Sequence, residues 1–232
     1  MNTETRQTIH FGINFVFSPI PSMDRQSNLR FQQALLAAGL DFSQNQIHER
    51  ELMVLREGSP RLEAKVALLP SAPLAQLLIV SPDSRTDLNL FVKDVQAVLD
   101  AFNATWQAPN RQLVSSDVTL RDLYEATGEH AFKELWETRL GQAPDSLSRL
   151  GHPVIGGGLR FVMPAQANEP NSAQVEVKIE SFLQNPKKIF VETQFTWATP
   201  SSPGAPFEAE RRLKEVDRYV EDQVEAFIVG GK

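Results

Sequence analysis

The chain has four histidines, and histidine is the side chain that most often serves as an acid, a base or a metal ligand. A metal site on one strand or helix needs the spacing HxH, HxxxH or HExxH, and none of these occurs. His10 and Asn14 share one face of a predicted strand, and His48 is expected to lie across the sheet from them. These three residues form one candidate polar site. The other interpretation is that the histidines are ordinary exposed side chains, and we predict neither metal nor cofactor.

A run of three glycines, Gly156 to Gly158, is the most distinctive local motif. A phosphate-binding loop would continue into Gly-Lys-Ser/Thr and a helix, and a dinucleotide fingerprint would also lead into a helix. Here the run leads into Leu159-Arg160-Phe161-Val162-Met163, which has the composition of a strand. The glycines therefore indicate a bulge or turn in a predicted strand spanning His152 to Pro164.

Nucleophilic and acid–base catalysis find little support. There is no cysteine, which excludes thiolate catalysis, disulfides and cysteine-ligated metals, and there is no GxSxG motif. Acidic pairs such as Glu176 and Glu180 fall on the wet face of a predicted strand, where carboxylates usually serve solvation. We do not predict an enzyme, although a hydrolase assembled by the tertiary fold stays open.

The long hairpin from Ala173 to Ala198 offers the best candidate surface for a partner. Its arms alternate apolar and polar residues around a turn at Asn185-Pro186, so one face is buried and the other is polar. The polar face predicts a cross-strand charge ladder, and the tip carries two lysines. The predicted interaction surface consists of Glu176, Lys178, Glu180, Lys187, Lys188 and Glu192.

Hydrophobic periodicity predicts the elements that position these residues. In the first half we expect a strand at 9–17, a helix at 24–38, strands at 47–56, 61–69 and 74–80, and a helix at 86–106 with Thr86 as N-cap. In the second half we expect a strand at 112–118, a helix at 119–140 interrupted by Gly128, a strand at 152–164, the hairpin, and a helix at 208–229. The apolar seam of the last helix is predicted to be Leu213, Val216, Val220, Val224 and Phe227.

The element order predicts an α+β protein with antiparallel sheet covered by long helices. The pattern β-α-β-β-β-α occurs twice, which indicates a tandem duplication with units 1–107 and 112–232, closely packed or merged into one continuous domain. In this order of elements alone, the chain resembles duplicated helix-grip folds in general outline. That resemblance assigns no site residues.

Composition limits the classes of function. The chain has 232 residues and a formal net charge of −6, which disfavours non-specific contact with nucleic acid or anionic membranes. We expect a cytoplasmic protein without a membrane segment. The predicted function is a non-catalytic interaction subunit or adaptor of a soluble bacterial-type assembly, bound to a protein partner or to a second copy. The alternatives are a binder of small lipophilic ligands of helix-grip type and, less favoured by the charge, a nucleic-acid-binding saddle.

Overall fold

One antiparallel sheet runs through the computed structural model, which describes residues 1–58, 60–70, 72–82, 87–143, 145–169 and 171–230. Within these residues the sheet has nine strands in the order β2-β3-β4-β5-β1-β6-β9-β8-β7. The strands are β1 (Asn2–Ser18), β2 (Gln44–His48), β3 (Glu51–Arg56), β4 (Leu62–Leu68), β5 (Ala75–Ser81), β6 (Gln112–Glu125), β7 (Gly158–Met163), β8 (Gln174–Ser181) and β9 (Lys188–Trp197).

The strand order is nearly a mirror image about the pairing of β1 with β6. Outward from that pair, one side reads β5, β4, β3 and the other reads β9, β8, β7. The predicted α+β class with an antiparallel sheet is confirmed. The predicted units 1–107 and 112–232 meet where β1 and β6 pair, so the sheet is continuous across the point where the pattern restarts.

Helices cover one face of the sheet. They are α1 (Arg25–Ala37), α2 (Leu88–Thr105), a short α3 (Ala131–Lys133) that continues as a π-helical segment (Glu134–Arg139), and a final helix built from α4 (Ala209–Tyr219), a π-helical segment (Val220–Val224) and α5 (Glu225–Val229). A 3-10 turn (Ser146–Leu150) lies in the connection before β7 and buries none of its residues. The expected N-cap Thr86 lies outside the described residues, and the Asp87 side chain accepts a hydrogen bond from the Leu90 N–H.

Phenylalanine rings fill the space between α2 and the sheet. Phe11 stacks on Phe91 with ring centroids 5.4 Å apart, and Phe17 meets Phe102 edge-on at 5.4 Å. The buried residues of β1 alternate with partly exposed ones, because successive strand side chains point to opposite faces. The second face, on which none of the helices named above packs, is called the open face below.

The strand predicted for 47–56 is wrong in one respect. The chain forms two strands, β2 and β3, joined by a two-residue turn at Glu49-Arg50. All five residues of β2 are exposed, so its sequence lacks the apolar alternation that would distinguish a strand from a loop.

The helix predicted for 119–140 is also wrong over its first part. β6 extends to Glu125, and helical structure begins only at Ala131. Val118, Leu120 and Tyr124 alternate as a buried strand face, but a charged residue, Asp122, occupies the buried position between them. That carboxylate interrupts the apolar pattern in the sequence.

The final helix is confirmed, but its apolar seam shifts near the end. Phe227 was predicted to be buried, yet 57% of it is exposed, and Ile228 is buried instead at 3%. The π-helical segment Val220–Val224 adds a residue to one turn and so rotates the following residues around the helix axis. Phe227 therefore points away from the core.

Candidate functional site

Register places five polar side chains in one row across the open face. His10 pairs with Arg121, Arg121 with Glu192, Glu192 with Lys178, and Lys178 with Arg160. Neighbouring residues of one row lie on the same side of the sheet, so their side chains can reach one another.

Ion pairs link the four charged residues of this row, together with Glu176 but without His10, into a continuous charge ladder. Glu192 accepts from Arg121 Nε and Lys178 Nζ, both at 2.6 Å. Glu176 accepts hydrogen bonds from Arg160 Nε at 2.9 Å and from Arg160 Nη2 at 2.8 Å. One of its carboxylate oxygens also lies 3.3 Å from Lys178 Nζ. Burial opposes ionisation of Glu192, but the hydrogen bonds from Lys178 and Arg121 hold its pKa below the usual value. Each cation of the ladder faces a carboxylate, which leaves little positive charge for a phosphate backbone.

His10 lies partly buried at the end of this row. Burial, together with the neighbouring Arg121, lowers the pKa of His10 to about 4, and Glu192 opposes that shift. A Cβ atom on Gly12 would lie 3.0 Å from the His10 Nε2 atom, so the ring rests against the glycine. Asn14 is on the same face and donates to Asp117 at 2.8 Å. Burial raises the pKa of Asp117.

The other residues predicted for a site lie apart from this row. His48 is on β2, which β3, β4 and β5 separate from β1. His10 and Asn14 share one face of β1 but pair with different residues of β6, Arg121 and Asp117, so the predicted three-residue site is not assembled. Glu180 and Lys187 are exposed at the tip region of the hairpin. Lys188 lies 3.5 Å from Glu125 across the β6–β9 pair. Sequence reasoning missed Arg121 and Arg160, because their partners depend on strand register.

The neutral state of His10 should make stability depend on pH. The pKa of His10 is lowered in the folded protein. Its contribution to the free energy of unfolding is therefore complete above the unfolded pKa of about 6.5 and is lost as pH falls towards 4. Over that range we expect the wild type to lose about 2 kcal/mol of unfolding free energy relative to His10→Gln, after allowance for partial solvent screening. Urea unfolding at several pH values measures it.

His152→Gln is the matched control, since His152 is exposed in a loop. Its pH profile should run parallel to that of the wild type. A His10→Gln profile parallel to the wild type would show that His10 titrates in the folded protein as it does in the unfolded chain.

The outer strand β7 provides a second candidate site. The hairpin β8–β9 has no free edge, because β7 covers one side and β6 the other. Ser181 N–H donates to the Gly157 carbonyl at 3.0 Å. Bonded and non-bonded pairs alternate in an antiparallel ladder, so the backbone N–H and C=O groups of Gly158, Arg160 and Val162 point away from β8. They form an open hydrogen-bonding edge.

An apolar groove runs beside this edge, between β7 and the final helix. Phe161 meets Phe227 edge-on with ring centroids 5.2 Å apart, and Met163 Sδ lies 3.6 Å from the Tyr219 hydroxyl. Val162 is 53% exposed and Phe227 is 57% exposed. The groove has a cavity volume of about 520 Å³. We call this combination the β7 edge groove. The opposite outer strand, β2, presents the mostly polar sequence QNQIH.

The glycine run explains how β7 can lie so close to β8. A Cβ atom on Gly158 would lie 2.0 Å from the Ile179 carbonyl oxygen and 2.6 Å from the Glu180 Cα atom. A Cβ on Gly156 would meet the Leu183 side chain at 2.3 Å. The run thus permits close approach of the β7 and β8 backbones at the start of β7. The strand predicted at 152–164 begins later than expected, at Gly158.

Within the described ranges, no group of three or more His, Asp or Glu side chains is arranged to hold a metal ion. None of the helices in these ranges is long and apolar enough to cross a membrane.

Comparison with known proteins identifies no family. No protein-family model matches the chain, and neither does any curated protein. One solved structure that aligns with it is the di-domain ARO/CYC StfQ from the steffimycin biosynthetic pathway, at 9% identity over 92% of this chain and 93% of that chain. The TM-score is 0.21, which does not establish a shared fold.

Proposed function

We propose that this chain is a non-catalytic protein-interaction subunit that binds an extended segment of a partner protein at the β7 edge groove. The segment adds to the sheet as a further strand beside β7. The observation that carries the proposal is the outward-pointing backbone of Gly158, Arg160 and Val162 next to an apolar groove whose wall includes the exposed Phe227. Main-chain hydrogen bonds then supply affinity, and alternate side chains in the groove supply specificity.

The π-helical segment contributes directly to this site. A continuous α-helix would place Phe227 in the buried seam, as its spacing from Val224 indicates. The added residue instead buries Ile228 and presents Phe227 to Phe161. An exposed phenylalanine costs stability, because burying such a side chain contributes roughly 1.5–3 kcal/mol. Its exposure at an open strand edge supports a binding role.

Charge defines the occupant further. Arg160 points to the open face at the edge, and Glu176 engages its Nε and Nη2 atoms. Nη1 takes no part in those hydrogen bonds, and Arg160 lies on the outermost strand of the sheet. The segment we propose therefore alternates apolar side chains, which enter the groove, with an acidic side chain next to Arg160.

Proline at position 162 tests the proposal. Val162→Pro removes an outward N–H but none of the hydrogen bonds to β8, and proline is tolerated where an edge N–H faces solvent. We expect peptides selected from a random displayed library against the wild type to bind this variant at least about tenfold more weakly. Val162→Thr keeps the N–H and the branched shape, and it should bind normally. Titration with fluorescent peptides measures both.

Three results would contradict the proposal: no enriched peptides, equal binding to Val162→Pro, or enriched sequences without apolar alternation. Amide hydrogen exchange gives an independent readout, since the N–H groups of Arg160 and Val162 should become protected in the complex. A dimer in light scattering that Val162→Pro abolishes would identify a second copy as the occupant, in place of the heterologous segment proposed here.

We also propose that the two halves, 1–107 and 112–232, arose by tandem duplication. The support is the mirrored strand order about the β1–β6 pair. Duplication followed by loss of identity would leave one edge, at β7, free to acquire a binding groove while the other gained the extra strand β2.

The alternatives find less support in the geometry. A lipophilic ligand of the helix-grip kind would lie between the sheet and a long helix. Beneath α2 that space is filled by phenylalanine pairs whose ring centroids are 5.4 Å apart. A nucleic-acid saddle would use the open face, where the cations of the charge ladder are paired with carboxylates.

A further inference from the structure

Arg111 is a cation held among aromatic rings just after α2. Its guanidinium carbon lies 4.6 Å from the Phe102 ring centroid and 5.6 Å from the centroids of Phe17 and Phe207. Two of its N–H groups bond to the Asn103 side chain and the Trp106 carbonyl, and the buried Nε has no hydrogen-bond partner. A guanidinium has five N–H donors, so three of them remain available for further hydrogen bonds.

No carboxylate in the described part of the chain lies within ion-pair distance of Arg111. Burial alone lowers the pKa of Arg111, and no nearby charge opposes that shift. A partly buried cation without a counter-ion is costly, and an anion that reaches it offsets the desolvation.

A cavity of about 520 Å³ opens beside Arg111, at the N-terminal end of α1. Arg30 lines the same cavity, and no Asp or Glu of the described residues is among those that line it. Its other walls include Phe17, Ile20 and Trp106, which are apolar. The nearby Asp24 carboxylate is engaged as the cap of α1, accepting from Ser27 N–H at 2.8 Å and from the Ser22 hydroxyl at 2.5 Å.

A second cavity of about 500 Å³ also touches Arg111, on the side of the final helix. Its lining also includes Arg211, Glu208 and Glu210, so the two arginines are matched by two carboxylates and no excess positive charge is left for an anion. The charge difference between the two cavities selects the one shared by Arg30 and Arg111.

We infer that the cavity lined by Arg30 and Arg111 binds a small organic carboxylate with an apolar body. The carboxylate would take charge-assisted hydrogen bonds from the two guanidinium groups. The apolar body would rest on Phe17, Ile20 and Trp106, since a pocket of mostly apolar walls with few polar groups suits such a ligand. This site is separate from the β7 edge groove in both position and chemistry.

Calorimetry with 4-phenylbutyrate and octanoate tests this inference. We expect saturable binding of at least one, with the neutral amide of each about tenfold weaker or more, and with inorganic phosphate not competing. Arg30→Gln should weaken carboxylate binding at least about tenfold, because Arg30 is exposed and its loss leaves the fold intact. Arg25→Gln is the matched control, on the same helix but outside the cavity lining.

Arg111→Lys provides a second variant that keeps the charge but loses the planar donor set, and it should also weaken binding. The inference would be overturned by a lack of saturable binding of either carboxylate, by amides that bind equally, or by full competition from phosphate. An unchanged affinity in Arg30→Gln would do so as well. Val162→Pro should leave carboxylate affinity intact, and Arg30→Gln should leave peptide binding intact, so the two proposals fail independently.

Discussion

Replacing Arg6 by methionine should lower the free energy of unfolding by about 3–5 kcal/mol, because it leaves a buried carboxylate without its counter-charge. Arg6 Nε donates to Asp122 Oδ1 at 3.0 Å, and Arg6 Nη2 donates to Asp217 Oδ1 at 2.7 Å. Arg6 thus joins β1 and β6, the central strands of the sheet, to the final helix. The Asp122 side chain is fully buried, and its other acceptor contact is the Thr8 hydroxyl at 2.6 Å.

The pH dependence of the variant tests the cause of the loss. Burial raises the pKa of Asp122, and Arg6 opposes that shift, so removing Arg6 raises the pKa further. A carboxyl group whose folded pKa exceeds its unfolded value destabilises the fold as pH rises through that interval. Arg6→Met should therefore recover part of its stability when pH is lowered from 7 to 5, as measured by urea unfolding.

Two further variants separate this effect from simple loss of packing. Arg6→Met combined with Asp122→Leu removes both charges and should recover most of the lost stability, since an apolar replacement of a buried pair is often neutral. Arg211→Met removes an exposed arginine that pairs with Glu208 and Glu215, and it should cost about 1 kcal/mol or less. A loss below about 1 kcal/mol in Arg6→Met would contradict the prediction, because it would mean that the buried Asp122 carboxylate does not need its counter-charge.

Asp122 also shows why part of the fold escapes prediction from sequence. Long alternating runs such as Phe11, Ile13, Phe15 and Phe17 identify β1, because burial on one face requires that period. In β6 the same period is present, but a carboxylate holds one buried position. Arg6 and Thr8 on β1 compensate that carboxylate, and the sequence does not show this pairing until the strands are aligned.

The candidate sites depend even more on tertiary arrangement. The sequence places Glu176, Lys178 and Glu192 on one polar face through alternation alone, and the structure joins them in one network. Strand order decides which strand lies at the edge of a sheet, and the sequence does not give that order. The hairpin predicted as the partner surface is interior in the sheet, and β7 is the outermost strand. The exposure of Phe227 depends on a π-helical turn that residue spacing does not indicate.

The second large effect is expected for Gly158→Ala, at the start of β7. An ideal Cβ there lies 2.0 Å from the Ile179 carbonyl oxygen, and backbone atoms of β8 cannot move aside as a flexible side chain can. We expect β7 to separate from β8 near this point, with a loss of about 3 kcal/mol in the free energy of unfolding. Peptide affinity at the β7 edge groove should fall with it, because the displaced strand no longer presents Arg160 and Val162 in line.

Gly128→Ala is the matched control for this prediction, since a Cβ atom at Gly128 would contact nothing within 4 Å. That variant should keep both stability and peptide binding within error of the wild type. Chemical denaturation gives the stability, and hydrogen exchange at Ile179 and Leu159 reports whether the β7–β8 pair has opened. If Gly158→Ala is as stable as Gly128→Ala, β7 can lie farther from β8 at no cost. The glycine run would then have no role in holding the binding edge in place.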